Sequence, residues 1–189
     1  MLEVFFCTMD MPNDEMREQM SNLCLRRWYR EDVRVNVISP NTIGCRSDKF
    51  QLERRKFADL NALNPVYVLA DDDCLITKDF DPDGILAAAR FYSDHHGFIT
   101  VSLMPSNANI VPWTPEGYSP FADSAVMEHV SVGGVRFCRK GAVAEWPAQH
   151  GSGYDSTHGA VARNLGFRVG YFHNYRMNHI GEGYSTVWR

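Results

Sequence analysis

The sequence lacks any run of about 18 apolar residues, the length a membrane-spanning helix needs. Its opening stretch, Met1 to Cys7, is too short for the apolar core of a secretion signal and reads instead as a strand. Five cysteines, Cys7, Cys24, Cys45, Cys74 and Cys138, are scattered, with no Cys-x-x-Cys spacing. Their odd number and placement argue against a disulfide framework or a zinc site and for free thiols in a reducing compartment. There is no basic excess: 19 Lys and Arg stand against 23 Asp and Glu, a formal charge of -4. An overall field that would draw the chain to nucleic acid is therefore excluded, although a local basic groove is not. No Gly-x-x-x-x-Gly-Lys-[Ser/Thr] segment occurs, which removes the P-loop nucleotidases. Repeats, low-complexity tracts and linkers are also missing. One domain over residues 1–189, working in the cytosol unless it is cut from a larger protein, is the expectation.

The remaining composition is that of an ordinary globular domain, 44% hydrophobic and 22% charged, with aromatics at 12% that promise a well-filled core. Apolar runs at Leu2–Thr8, Pro65–Ala70 and Phe98–Leu103, and β-branched alternation at Val33–Ile38, read as strands. Ser39-Pro40-Asn41 supplies turn chemistry after the second of these. Helices are expected after an Asn13 cap, with Met16, Met20, Leu23 and Cys24 at helical spacing. Further helices are expected from about Ser47 to Leu63, with Phe50, Phe57 and Leu60 on one face, around Ile85 to Tyr92, and from Tyr154 to Leu165 with Gly166 as C-cap. Val130–Phe137, with a glycine pair inside it, and Phe167–Phe172 read as the last strands. Strands alternating with helices predict an α/β fold, a mostly parallel sheet with helices on both faces. Ligands of such sheets sit beyond the carboxyl ends of the strands.

One strand end stands out. Asp71-Asp72-Asp73 follows Tyr67-Val68-Leu69-Ala70 without a break. Three adjacent carboxylates repel one another unless something positive neutralises them. A divalent cation such as Mn²⁺ or Mg²⁺, which takes hard oxygen ligands, does so. Extended backbone would turn Asp71 and Asp73 to one side and Asp72 to the other. The plain alternative is a solvated acidic turn. Gly133 and Gly134 permit a close backbone approach or mark a bulge. Asp155 stands at a helix start after Gly151 and Gly153, as an N-cap or as a general base. His179 follows the expected last strand as either a structural residue or a ligand.

The segment Tyr67–Asp73 resembles the strand and Asp-x-Asp motif of GT-A glycosyltransferases, a Rossmann-like fold, and in particular their broad inverting family. The later motifs follow in the family's order along nearly the whole chain. The resemblance implies that Asp73 binds the metal holding a sugar-nucleotide diphosphate, with His179 completing the shell. Asp71 and Asp72 would face the ribose, the sugar or the metal's waters, which makes Asp71 a candidate for both donor and metal contact. Thr8, Met9 and Asp10 match the pocket for base and ribose. Lys49, Arg54, Arg55 and Lys56 supply a basic helix from which Arg54 is taken as a donor contact, a solvated helix face being the alternative. Gly133 and Gly134 match a strand lining the sugar pocket. Asp155 matches the family's general base, although Tyr154 stands where the family usually has a second acid. Glu145 and Asp123 are its rivals.

The acceptor is not legible. A proline-rich loop from about Pro105 to Asp123 carries Trp113, Tyr118 and Phe121, aromatic faces suited to sugars or bases. Trp113 and Tyr154 are the acceptor-binding candidates, and a glycan, a protein or a modified DNA base would each be served. A UDP-sugar is the commonest donor in the resembling family. Two other readings are a nucleotidyltransferase, disfavoured because Thr8-Met9-Asp10-Met11-Pro12 has no glycine-rich basic loop, and a nucleotide- or sugar-binding module without turnover.

Overall fold

Burial on both faces explains the first apolar run. Leu2–Cys7 forms strand β1 with all six residues buried, between two parallel neighbours, β2 (Val33–Ile38) and β3 (Val66–Asp71). The computed structural model describes residues 1–9, 14–106, 121, 125–129, 132–141 and 154–180, with backbone alone for 154–157. Five further strands complete one sheet: β4 (Cys74–Ile76), β5 (Phe98–Pro105), β6 (Val126–Glu128), β7 (Val135–Arg139) and β8 (Arg168–His179). The order is β2-β1-β3-β7-β5-β8-β4, with β6 also paired to β8. Strands β1, β2, β3, β5 and β8 run one way, and β4, β6 and β7 run against them. The sheet is therefore mixed and mostly parallel, as the alternation of elements predicts.

Helices cover both faces. Helices α1 (Glu15–Arg26) and α4 (Pro82–His96) pack on the side of Val4, Phe6, Val68 and Ala70 through Cys24, Ile85 and Leu86. Helix α3 (Phe50–Asn61) covers Phe5, Tyr67 and Leu69 through Phe50 and Ala58. Helix α5 (Tyr154–Asn164) joins α3 on that face, since Arg55 and His158 both reach Thr100. Among the described residues, no helix is long and apolar enough to cross a membrane. All five cysteines are unpaired.

Several expectations need correction. The first helix is capped by Asp14, whose carboxylate accepts from Arg17 N at 2.9 Å; Asn13 lies outside the described residues. Its buried residues are Arg17 and Cys24, while Met16 and Leu23 are exposed. Leu60 is likewise exposed on α3, and the buried stripe there is Phe50, Leu52, Arg54, Arg55 and Ala58. The fourth helix is longer than its apolar core suggests: Asp81 caps it, Pro82 opens it and Gly97 closes it at φ 73°. After Ser39, a short helix α2 (Pro40–Ile43) replaces the expected turn, held by a Ser39–Thr42 capping box. Strand β7 begins after the glycine pair, not before it. The last strand runs to His179 rather than stopping at Phe172, and β4 and β6, three residues each, carry too little pattern to be read.

Candidate active site

The carboxyl ends of β1 and β3 lie side by side, with Cys7 opposite Asp71. Asp71 continues the face of Tyr67 and Leu69, toward α3. Arg54 of α3 meets Asp71 Oδ1 with Nη1 at 2.6 Å. Arg136 of β7 donates through Nη1 and Nη2 to the two carboxylate oxygens, at 3.3 and 3.1 Å. Both arginine side chains are nearly buried, 4% and 3% exposed, against 21% for the aspartate. The antiparallel register that sets Leu69 opposite Arg136 delivers the second arginine. Its Nε donates to Val132 O at 3.3 Å, which fixes the fork.

Residues 72 and 73 form a turn, so strand alternation stops at Asp71. This corrects the expectation that Asp71 and Asp73 share a side. Asp72 is buried and pairs with Arg17 of α1; its other oxygen accepts from Met9 N at 3.4 Å. Burial raises the Asp72 carboxyl above its ordinary range, with Arg17 acting against the rise. Thr8 is one hydrogen bond, 3.2 Å, from Ser21 one helical turn beyond Arg17. Asp72 thereby ties the exit of β1 to α1.

Asp73 turns the other way. Cys74 and His179 are directly paired in the antiparallel β4–β8 ladder, and Ile180 N donates to Asp73 O at 2.8 Å. Asp73 Oδ2 then lies 3.2 Å from His179 Nε2. Burial pushes the Asp73 carboxyl up, but the hydrogen bond and charge of His179, with Arg17, outweigh it and leave it below the ordinary range. Among the described residues, Asp73, Cys74 and His179 form a group whose ligand atoms all lie within 4.8 Å of one another. Cys74 is a poor member of it. Its thiol, fully buried, donates to Asp73 Oδ1 at 3.4 Å, and burial together with the Asp73 charge pushes it well above its usual value. A carboxylate and an imidazole, partly exposed at 15% and 32%, suit a divalent ion that draws its remaining ligands from a diphosphate and water. Asp71 is outside this group, both its oxygens facing guanidinium groups.

Gly134 answers to packing. Its φ is 75°, and a Cβ there would sit 2.2 Å from Met177 Cε and 3.1 Å from Cys74 Sγ. The close approach expected of a ligand at this glycine is made by β8 and β4. Gly133 O accepts from Ser102 Oγ at 2.5 Å, and Gly133 N donates to Tyr171 Oη at 3.2 Å. Of the basic helix, Lys49 is exposed and Lys56 is half-buried beside Glu53, so the solvated reading holds for these two and fails for Arg54 and Arg55. Tyr154 and Asp155 fall in the first turn of α5. Asp10, Trp113, Tyr118, Asp123, Glu145, Gly151 and Gly153 lie outside the described residues. Arg17 and Arg136 were missed. Arg17 shares a helical stripe with Met20 and Cys24, a signal hidden because such stripes are scored on apolar residues.

No family model matches the chain, and no curated protein matches it. Solved structures do. A 1–349 fragment of S. aureus TarS aligns over 93% of this chain with a TM-score of 0.53 and 15% identity. Protein A197 of STIV aligns over 95% of this chain and 85% of its own, with a TM-score of 0.54 and 15% identity. A mutant of Drosophila β1,4-galactosyltransferase 7, solved with manganese, UDP-Gal and xylobiose, aligns over 98% of this chain and 74% of its own, with a TM-score of 0.50 and 13% identity. The chain has the GT-A glycosyltransferase fold. It spans 59% of the TarS fragment's length, which has also been solved with UDP-GlcNAc. Within the GT-A fold, the acidic turn after β3 and the late histidine of β8 are brought together although β7 and β5 stand between those two strands in the sheet.

Proposed function

We propose that this chain is a metal-dependent glycosyltransferase that moves a sugar from a nucleotide diphosphate to an acceptor hydroxyl with inversion. The observation that carries the reading is the Asp73–His179 pair at the mouth of a GT-A sheet. Asp73 and His179 would hold Mn²⁺ or Mg²⁺. Such an ion supplies charge neutralisation to a diphosphate leaving group. A UDP-sugar is the donor we favour, supported by the UDP-Gal and UDP-GlcNAc of two structural neighbours.

The chain's own groups divide the remaining work. Asp71 serves as the anchor for Arg54 and Arg136 rather than as a metal ligand, because both its oxygens already face guanidinium groups. That arrangement holds two forked cations at the carboxyl end of β3, where a diphosphate or ribose would lie. Asp72 and Arg17 hold the exit of β1 to α1 beside Thr8, and to Thr8, with Asp10, we assign contact with the donor's base and ribose. Gly133 and Gly134 shape the floor through backbone. Asp155 takes the proton of the acceptor hydroxyl. The freed oxygen attacks the anomeric carbon from the face opposite the diphosphate, and the C–O bond to the diphosphate breaks with its electron pair leaving on the nucleotide. Trp113 and Tyr154 are the residues we assign to the acceptor, a glycan, a protein or a modified DNA base. Five unpaired cysteines fit work in a reducing cytoplasm. The test is nucleotide binding that requires Mn²⁺ and is lost in Asp73→Asn; binding that ignores the metal or survives the substitution contradicts the reading.

A further inference from the structure

Beneath the site lies a polar cluster that the proposed chemistry does not use. Arg55, Thr100 and His158 are 1%, 1% and 0% exposed. Arg55 Nη2 donates to Thr100 Oγ1 at 2.7 Å and sits 3.6 Å from Cys138 Sγ. His158 Nε2 lies 3.1 Å from the same Oγ1. One hydroxyl therefore joins α3, β5 and α5. With Arg55 donating to that oxygen, the second hydrogen bond runs between Oγ1 and Nε2, its direction set by the imidazole tautomer. Burial, then the charges of Arg55 and Arg136, hold the histidine well below its ordinary pKa and so uncharged. Polar groups this deep are costly unless hydrogen-bonded, and a buried hydrogen-bond network rigidifies the elements that carry it.

The cluster's position says what is held. Arg55 adjoins Arg54, which grips Asp71. His158 comes three residues after Asp155, about 4.5 Å of rise along α5. Helix α5 feeds β8 through Gly166, so its first turn points to the end of the sheet where Asp71 and His179 stand.

We propose that Arg55, Thr100 and His158 are positioning residues: their shared hydroxyl locks the first turns of α5 to α3 and so fixes Asp155 relative to the donor-holding Arg54 and Asp71. The inference rests on the reading of Asp155 as the base. Thr100 is 1% exposed and acts through the helix it pins.

The test is amide hydrogen exchange on the whole chain, followed at residues 158–161. These amides bond to the carbonyls of residues 154–157 and report whether the first turn is closed. Thr100→Val keeps shape and removes the hydroxyl; exchange at 158–161 should rise about tenfold, with β1 and β3 unchanged. Thr100→Ser should restore protection, and His158→Gln should repeat the effect of Thr100→Val. Unchanged exchange in both Thr100→Val and His158→Gln, or an equal rise throughout the sheet, overturns the proposal. The consequence for chemistry is read with UDP-Gal and UDP-GlcNAc in Mn²⁺ as UDP release. Thr100→Val should lower kcat about tenfold with donor KM unchanged and cause no further loss in Asp155→Asn. A full additional loss in that background contradicts positioning through Asp155. Failure of the wild-type chain to bind any nucleotide defeats the transferase reading, while the exchange result still decides whether the bridge pins the helix.

Discussion

Asp73 and His179, 106 residues apart in sequence, meet at 3.2 Å because Cys74 and His179 face each other across the β4–β8 ladder. The three residues of β4 thus do more than extend the sheet: they carry the acidic turn of β3 to the last strand. Removing the imidazole while keeping the turn separates fold from function. His179→Ala should leave thermal stability within about 1 kcal/mol, since the pair is partly solvent-exposed. It should weaken Mn²⁺-dependent nucleotide binding about tenfold or more. Scanning calorimetry measures the first, and calorimetric titration with UDP, with and without Mn²⁺, the second.

The Asp71 knot should behave differently. Asp71→Asn leaves Arg54 and Arg136 facing a neutral amide in a site where both are nearly buried. Breaking such pairs from one side is costly, and after discounting for the aspartate's 21% exposure we expect about 2 kcal/mol or more. Urea denaturation of the two proteins gives the number. A loss below about 0.5 kcal/mol would show that the arginines do not depend on Asp71.

Gly134 offers a test of packing alone. Gly134→Ala forces a side chain into positive φ and against Met177, with an expected cost of about 2 kcal/mol. Met177→Ala in the same chain removes the clash but not the backbone strain, so it should recover none of the conformational part. Melting temperatures of the single and double variants separate the two contributions.

Acid should expose His158. Its folded pKa lies well below that of an unfolded histidine because of burial and the nearby arginines. Between the two values the unfolded chain binds the extra proton, so stability falls as pH drops below about 6.5 and is unaffected above it. His158→Gln should flatten the stability difference between pH 7.5 and 5.5 relative to wild type. An unchanged slope in urea titrations at the two pH values would remove His158 from the account.

Much of this was legible in the sequence for physical reasons. A strand buried on both faces must be apolar throughout, so Tyr67–Ala70 could be read and the acids that break it stood out. Arg17, Arg54 and Arg136 were harder. A helical stripe or strand face is recognised by its apolar members, yet here the buried faces of α1, α3 and β7 end in cations, because the acids they meet come from a distant segment. The stretch His173–His179, beyond the expected Phe167–Phe172 strand, was not read as strand for a related reason: its alternation of burial is set by pairing with the end of β5 and with β4, and β4 is too short to announce itself. The glycine at position 134 was noticed, but the atoms that require it belong to Met177 and Cys74, contacts no local pattern encodes.

The central claim is that Asp73 and His179 form a metal site for a nucleotide diphosphate, and a thermal-shift titration tests it most directly. Melting temperature is followed against UDP concentration with and without Mn²⁺, in wild type and Asp73→Asn, because a ligand specific to the native state raises it with the logarithm of concentration over Kd. The account predicts a rise that needs Mn²⁺ and vanishes in Asp73→Asn while that variant's own melting temperature stays near wild type. No rise with any nucleoside diphosphate in the presence of Mn²⁺, or an equal rise in Asp73→Asn, would contradict it.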